Sequence, residues 1–452
     1  MSEVRVSQAS VSAAPHDGDE GIALLRPQPG SRVSPATEAP EVAAMRRAAE
    51  RALAQWGLPG RKDEAWRFTP VRSALELSPS EPADVWDLER AGAEVRARFA
   101  ADAVVLPVVD GLPLVTAVEG LPAGVQLMGL DDALAGSVAP EPVALTQERH
   151  FRALNTARFE RGGLLRVEGE QEHPIHVLYV STGATVSHAR LHVELVRGAR
   201  ASVIEHFVSA KRTDEAAKTL LNAVTDVRVG ANAELEHVRV HRSAQQLVGD
   251  VAVEVGADAR YHSRVVTLGG PLMRLSLHVA FVGKGGSATL DGAYHVAGRD
   301  LVDHHTRVEH RAPHCTSHQD YRGVVDEKGT SVFDGIAWVH EAALVSEAHQ
   351  QNRNLLLTDT AVAHTKPHLE IDTDSVVASH GATVGTLDED QVFYLRSRGL
   401  RDSQARALLT FAFVRELLAR ISDEGTRHKV EEEMAARLPD GQGLLELFGE
   451  VE

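Results

Sequence analysis

From Pro40 onward apolar residues recur at helical spacing. Val42, Met45, Ala48, Ala49, Leu53 and Trp56 fall three or four positions apart and predict one amphipathic helix. Leu58-Pro59-Gly60 stops it, because neither proline nor glycine favours another helical turn. Residues 85–160 mix short helical and strand patterns, with strand character strongest over Ala103-Val104-Val105-Leu106 and Val108-Val109. The first 40 residues are rich in Ser, Pro, Ala, Glu and Gly, have few large apolar side chains, and predict disorder.

Between about 164 and 395 strand patterns follow one another with almost no convincing helix. Examples are His176-Val177-Leu178-Tyr179-Val180 and Leu191-His192-Val193-Glu194-Leu195-Val196. A turn recurs among them: Gly198-Ala199-Arg200-Ala201, then Gly230-Ala231-Asn232-Ala233, then Gly256-Ala257-Asp258-Ala259, with a degenerate copy at Gly283-Lys284-Gly285-Gly286. A second echo pairs Gly286–Gly292 with Gly329–Gly335. Strands and glycine turns repeating at roughly 30 residues predict a solenoid, each coil burying its inward face on the next. A large antiparallel sandwich is the alternative, but it would not require similar turns at a near-constant period. After Asp402 or Ser403, either of which can cap a helix, Ala407, Leu408, Phe411, Ala412, Leu417, Leu418 and Ile421 restore helical spacing. A second helix starts near Ser422 and stops at Pro439-Asp440-Gly441.

The expected architecture is therefore mainly β, a right-handed parallel β-helix flanked by N-terminal and C-terminal helical regions. Its divisions are a disordered tail over 1–40, a helical or α/β domain over 41–163, the β-helix over 164–395 and a helical domain over 396–452. A length of 452 residues suits about three domains at roughly 150 residues each.

Charge and composition remove several functions. With 47 Lys+Arg against 64 Asp+Glu, the net charge of −17 repels phosphate backbones, so nucleic acid is not an expected partner. The single cysteine, Cys315, excludes an intrachain disulfide and any all-cysteine metal site, and suits a reducing cytoplasm. The opening MSEVRVSQAS lacks the apolar core of a signal peptide. The most apolar stretch, Ala103 to Leu130, is broken by Asp110, Glu119 and prolines, so no membrane span is expected.

Enzyme signatures are mostly absent. The chain has no G-x-x-x-x-G-K-[ST] and no G-x-S-x-G, and His340-Glu341 fails the zinc pattern because Leu344 stands where a second histidine is needed. His304, His305, His310, His314, Cys315 and His318 crowd into a short stretch that could in principle hold a borderline metal. On strands, however, His304 and His305 point to opposite faces, as do His314 and Cys315. A mononuclear metalloprotein or enzyme using His304–His318 stays as the alternative to the function developed next. A β-helix enzyme acting on polysaccharide is a further rival, disfavoured by the missing signal peptide.

Two runs remain: Lys366-Pro367-His368-Leu369-Glu370-Ile371, and Ser379-His380-Gly381-Ala382-Thr383-Val384-Gly385 continuing through Leu387-Asp388-Glu389-Asp390 to Phe393-Tyr394-Leu395-Arg396-Ser397-Arg398-Gly399. Together they resemble the SufB/SufD family of iron–sulfur cluster assembly scaffolds in the SUF system. Arg61-Lys62-Asp63-Glu64-Ala65-Trp66-Arg67-Phe68-Thr69 is similar to that family's N-terminal signature, and Phe151–Ala157 to the segment leading into its β-helix. SufB carries Cys-Asp-Ser where this chain has Lys366–Glu370, and a Glu near Gly381, so the resemblance falls on the SufD side. Many relatives resemble Cys-Ser-His-Gly where this chain has Ala378-Ser379-His380-Gly381; a role for that cysteine cannot apply here.

The resemblance implies a non-catalytic scaffold subunit. It would pair with a SufB-like β-helix and bind a SufC-type ATPase through its C-terminal helices, with Ser403, Leu408, Phe411, Phe413 and Leu417 as expected contacts. A transient iron–sulfur cluster, held mainly by the partner, would take a histidine from this chain, and that histidine maps to His380. Iron accepts imidazole, and a chain with one cysteine cannot hold a four-thiolate cluster by itself. A flavin is a further cofactor candidate under the resemblance, and pairing of isolated chains with themselves stays open.

Overall fold

The computed structural model describes residues 39–60, 62–71, 74, 76–77, 103–118, 120–135, 145–182, 185–209, 218–242, 245–441 and 443–444. The expected disorder over residues 1–40 falls outside these, apart from Ala39 and Pro40. Helix α1 spans Pro40–Trp56 and ends where Gly57, at φ 68°, sends its N–H back to Leu53 O. Strands β1 (Val104–Val109), β2 (Leu112–Pro113) and β3 (Val125–Gly129) follow, then helices α2 (Leu130–Ala135) and α3 (His150–Arg158).

From β4 (Gly162–Val167) the chain winds as a parallel solenoid with two strands to each coil. The next strands are β5 (Ile175–Ser181), β6 (Val186–Leu195), β7 (Arg200–Ser209), β8 (Leu220–Val229), β9 (Glu234–His241), β10 (Gln246–Val255) and β11 (Arg260–Thr267). The later coils comprise β12 (Met273–Phe281), β13 (Ser287–Val296), β14 (Leu301–His310), β15 (Thr316–Val325), β16 (Thr330–Val339), β17 (Ser346–Leu356), β18 (Val362–Ile371) and β19 (Val376–Gly385). From β5 onward the odd-numbered strands form one sheet and the even-numbered strands the other, each pairing in parallel with the strand two places away in sequence. The N-terminal segment joins both sheets, β1 pairing with β5 and β3 antiparallel with β4. Beyond β19 come α4 (Glu389–Ser397), α5 (Asp402–Leu418) and α6 (Glu424–Arg437); α4 lies in the stretch the sequence pattern joins to the repeats.

The recurrent glycine turns lie on one edge of successive coils, but their register differs from the sequence alignment by two residues. Gly198 aligns with Asn232, Asp258, Gly285, His314 and Val345, all at positive φ. Their N–H groups donate to the next coil's turn, from Gly198 to Ala231 O (2.9 Å) through Val345 to Ser375 O (2.8 Å). Gly230 and Gly256 have another duty. A Cβ on Gly230 would lie 2.7 Å from Leu195 O and one on Gly256 2.9 Å from Val229 O, so they are glycine because coils touch there. The second echo is not a coil repeat: its copies begin β13 and β16, in opposite sheets. Each delivers a glycine to the interior where a large side chain crosses, Gly292 against Tyr321 and Gly335 against Gln350.

Both outer faces are covered. α5 and α6 bury Phe411, Val414, Leu417, Ile421 and Met434 against Ile204, Val238, Val266 and Val324 of the odd-numbered sheet. α1, α3, Trp66, Val71 and Ala74 form a cluster in which Leu53, Trp66, Phe151 and Leu154 are buried against Val186, Leu220, Val248 and Leu272 on the even-numbered side. Beneath α3, Arg152 bridges Asp226 (2.6 Å) and Asp250 (2.7 Å), and Asn155 Nδ2 donates to Ala189 O and Asn222 O. Inside the solenoid, Glu205 accepts hydrogen bonds from Arg239, Thr225 Oγ1 and Tyr179 Oη. Burial opposes ionisation of that carboxyl, but Arg239, His237 and Thr225 together draw its pKa down to about 2.

Two predictions follow from this packing. Gly323 has the Tyr294 ring where a Cβ would stand. Gly323→Ala should therefore cost about 1–3 kcal/mol in denaturant unfolding, whereas Gly381→Ala, with nothing within 4 Å, should stay within about 0.5 kcal/mol. The second concerns acid. Burial lowers the pKa of His188 to about 3 and of His192 and His295 to about 4. These imidazoles stay neutral in the folded chain, while the unfolded chain takes up their protons below about pH 6.5. Stability should hold above that pH and drain away by roughly several kcal/mol between about 6.5 and 4, read as falling urea midpoints at pH steps across the window.

Candidate functional site at the open end of the solenoid

Strands β18 and β19 terminate the two sheets. Each pairs on one side only, β18 with β16 and β19 with β17. Every earlier coil satisfies its main chain on the next, so the far edges of these two strands present unpaired N–H and C=O groups. Side chains that would be core in any other coil are uncovered here. Ile371 and Val384 stand on inward rows above buried Val339 and Asn354, yet are 42% and 45% exposed.

His380 belongs to such an inward row. In β17 burial alternates, with Ser346, Ala348, Gln350, Asn352 and Asn354 facing in. Register carries those positions to Val376, Ala378, His380, Ala382 and Val384 of β19. Traced back through the coils, the His380 row reads Gln350, Gln319, Leu290, Ser263, His237 and Val203, all buried. His380 is exposed because no further coil stacks upon it. Gly381, next to it in β19, faces the opposite side of the sheet, with nothing within 4 Å of where a Cβ would stand.

The N-terminal signature braces this end from outside. Trp66 lies under the Arg274 guanidinium, 3.7 Å from its ring centroid, and Thr69 donates to Asp303, which also holds Arg274. Phe68 stacks on His364 at 4.0 Å, and Lys366 Nζ donates to Glu64 at 2.8 Å, fastening the signature to β18. The family resemblance singled out this motif; only the tertiary contacts explain it.

The other histidines do not converge. His304 is buried between the Tyr294 and Tyr321 rings, and burial lowers its pKa to about 4. His305 points outward, its Nε2 3.0 Å from Asp303. His310 packs on Phe281 and shares a 2.8 Å hydrogen bond with Ser317 Oγ. His314 occupies a left-handed turn position, and His318 stacks on His349, which bonds Ser379 Oγ at 2.7 Å. Cys315 is buried with its thiol against Gly283 O, and burial raises its pKa, disfavouring the thiolate a metal needs. Among the described residues, no three His, Cys, Asp or Glu side chains come together as a metal-binding group.

Of the five α5 positions, Phe411 and Leu417 are buried against the odd-numbered sheet, so neither is free to meet a partner. Leu408 and Phe413 pack on the edge of the same cluster and remain partly exposed. Ser403 is exposed and donates to Asp440 at 2.7 Å. Beside them α4 presents Phe393 at 70% exposure and Tyr394 at 57%, two aromatics that the sequence run contained without marking them as surface. The structure also puts Gln350 directly below His380, a neighbour that no spacing argument had singled out; its alternating inward position was the available signal. No helix among the described residues is long and apolar enough to cross a membrane.

Comparison with known proteins agrees with this geometry. Residues 178–413 match the family model described as SUF system FeS cluster assembly, SufBD core domain. The iron–sulfur cluster assembly protein SufD of Escherichia coli is 30% identical over 413 residues, covering 86% of this chain and 91% of that protein. A SufBD family iron–sulfur cluster assembly protein of Synechocystis is 31% identical over 381 residues, covering 80% and 84%. SufD of Bacillus subtilis is 25% identical over 290 residues, 63% of this chain. With the resemblance now matched along most of its length, the chain belongs to the SufB/SufD family of SUF iron–sulfur cluster assembly proteins and is SufD-like.

Proposed function

We propose that this chain is a non-catalytic scaffold subunit that builds iron–sulfur clusters jointly with a partner solenoid. Its β18 and β19 edges pair with the matching edges of a SufB-like subunit, and the nascent cluster, as cargo, sits at that joint. The observation that carries this reading is the open end itself: two unpaired strand edges, uncovered inward apolar residues, and one imidazole in the last inward row. Strand addition to such edges satisfies main-chain groups and buries Ile371 and Val384 in a single step. Among the described residues His380 is the side chain on the inward rows of that end that can ligate iron, while His368 and Glu370 of β18 lie on the outer face and Cys315 is buried in a distant turn. The remaining ligands then come from the partner.

The C-terminal helices serve a second partner, a SufC-type ATPase. Since Phe411 and Leu417 are committed to the chain's own core, the docking surface consists of Ser403, Leu408 and Phe413. The dispersed His304–His318 side chains speak against a mononuclear metal site as the chain's function.

Two experiments test these assignments. His380→Ala, in a chain co-expressed with its SUF partners, should leave the purified complex intact while lowering cluster formation at least about tenfold, followed by iron and sulfide content. His314→Ala should leave cluster yield near the parent value, and an undiminished yield in His380→Ala would remove His380 from the site. Separately, Leu408→Glu should weaken ATPase binding by about tenfold, or roughly 1.4 kcal/mol, while the chain stays folded and its unfolding midpoint falls only modestly, since Leu408 is at the edge of its cluster. Equal affinity in titration calorimetry would place the docking surface elsewhere.

A further inference from the structure

A cavity of about 740 Å³ opens on the outer face of the even-numbered sheet, between the N-terminal signature and the start of α3. Sites for small molecules fall in this size range, roughly 300–1,000 Å³. Its floor is two register rows: Ala252, His278 and Arg307, and beside them Glu254, Ala280 and Glu309. The two alanines create the space, because a long side chain at either position would fill it.

Hydrogen-bond donors converge on the buried end of this cavity without an acceptor. Arg149 is buried; its Nε and Nη2 hold Asp250, while Nη1 has no partner among the described residues. His278, half-buried on the floor, makes no hydrogen bond among them either. Burial and the neighbouring Arg149 push its pKa well below the usual value, so the ring is neutral and presents one N–H. Arg307, in register with His278, lies over the Trp338 ring at 5.0 Å and gives Nε to Glu309 at 2.8 Å. That leaves both its Nη groups unengaged among the described residues.

Charge in this corner is unbalanced. Arg149, Arg152 and Arg190 share two carboxylates, Asp226 and Asp250, and all five side chains are buried. One guanidinium therefore lacks a counter-charge, which is costly away from water, and an oxyanion beside Arg149 would relieve it. Most carboxylates around the cavity are already engaged, Glu64 by Lys366, Glu254 by Arg228, and Glu309 by Arg307 and Arg311. Glu148, exposed, and Asp63, half-buried, meet no cation among the described residues and mark the solvent side.

We propose that this cavity binds a small zwitterion. Its carboxylate or phosphate sits between Arg149, His278 and Arg307, and its amino group turns to Glu148 and Asp63 at the mouth. A ligand with a second anionic group at the mouth is disfavoured by those two carboxylates. The floor lies on β10, β12 and β14, so the site is separate from the β18 and β19 edges and does not depend on how they are used.

Titration calorimetry on the full-length chain tests this with three probes: phosphoethanolamine, γ-aminobutyrate, and butylamine, which keeps the amine but lacks the oxyanion. At least one zwitterion should bind with a Kd of about 1 mM or tighter, and the one that does distinguishes phosphate from carboxylate. Butylamine should not bind measurably. Ala280→Leu fills the floor and leaves every charge in place, whereas Arg307→Gln removes one cation and leaves the space. Each should weaken binding at least about tenfold with the thermal midpoint near the parent value, and His278→Ala replaces either variant that fails to fold. Added salt should weaken binding as well. No binding of either zwitterion at about 10 mM overturns the proposal, as does butylamine binding as tightly as γ-aminobutyrate. Undiminished affinity in either variant overturns it too.

Discussion

Main-chain hydrogen bonding between coils is the constraint on which the rest of this molecule depends. No strand from β5 to β17 completes its ladder with a sequence neighbour; each needs the strands one coil below and one coil above. Two consequences are unavoidable. Side chains on an inward row must stack on their register partners, so a bulky residue in one coil requires a small one nearby. And the final coil, having nothing above it, exposes both its main-chain edges and its would-be core.

The first consequence explains the glycines better than turn propensity does. Gly292 accommodates Tyr321, Gly323 accommodates Tyr294, and Gly335 accommodates Gln350. It also explains how charge is tolerated inside a narrow core. Glu205 and Arg239 are register partners on adjacent coils, so the carboxylate and guanidinium meet without distorting the ladder. An ion pair of this kind is costly to break, since removing one member strands the other in a poorly solvated interior.

The second consequence singles out one place. The N-terminal segment and α3 shield the even-numbered sheet, and α5 and α6 shield the odd-numbered one, so side walls do not offer the strand edges to a partner. The end does. His380 stands there not on an outward polar face but on an inward row, and a partner solenoid docking coil on coil would enclose it. On the proposed reading, a histidine enclosed in this way would suit cargo that must later leave, because separating the subunits would uncover it.

Several features were legible in the residues themselves. The Val42–Trp56 periodicity matches α1, the apolar run over Val104–Val109 matches β1, and the Ala407–Leu418 spacing matches α5, with Ile421 just past its end. Repetition of glycine turns identified a solenoid, and a short histidine-containing run placed the chain in its family. These are local or periodic signals, set by backbone preference and by which residues face inward. What the sequence could not decide was register. Gly198 looks equivalent to Gly230, yet it stands opposite Asn232, because the positive-φ position can be filled by Gly, Asn, Asp or His alike. Nor could spacing tell that Phe411 and Leu417 spend their apolar surface on the chain's own sheet, or that Phe393 does not, since an apolar helix face looks the same whether its partner is internal or foreign. The neighbours of His380 were likewise hidden. Gln350 lies thirty positions earlier in the sequence, and only the stacking of one coil on the next brings the two side chains onto a single row.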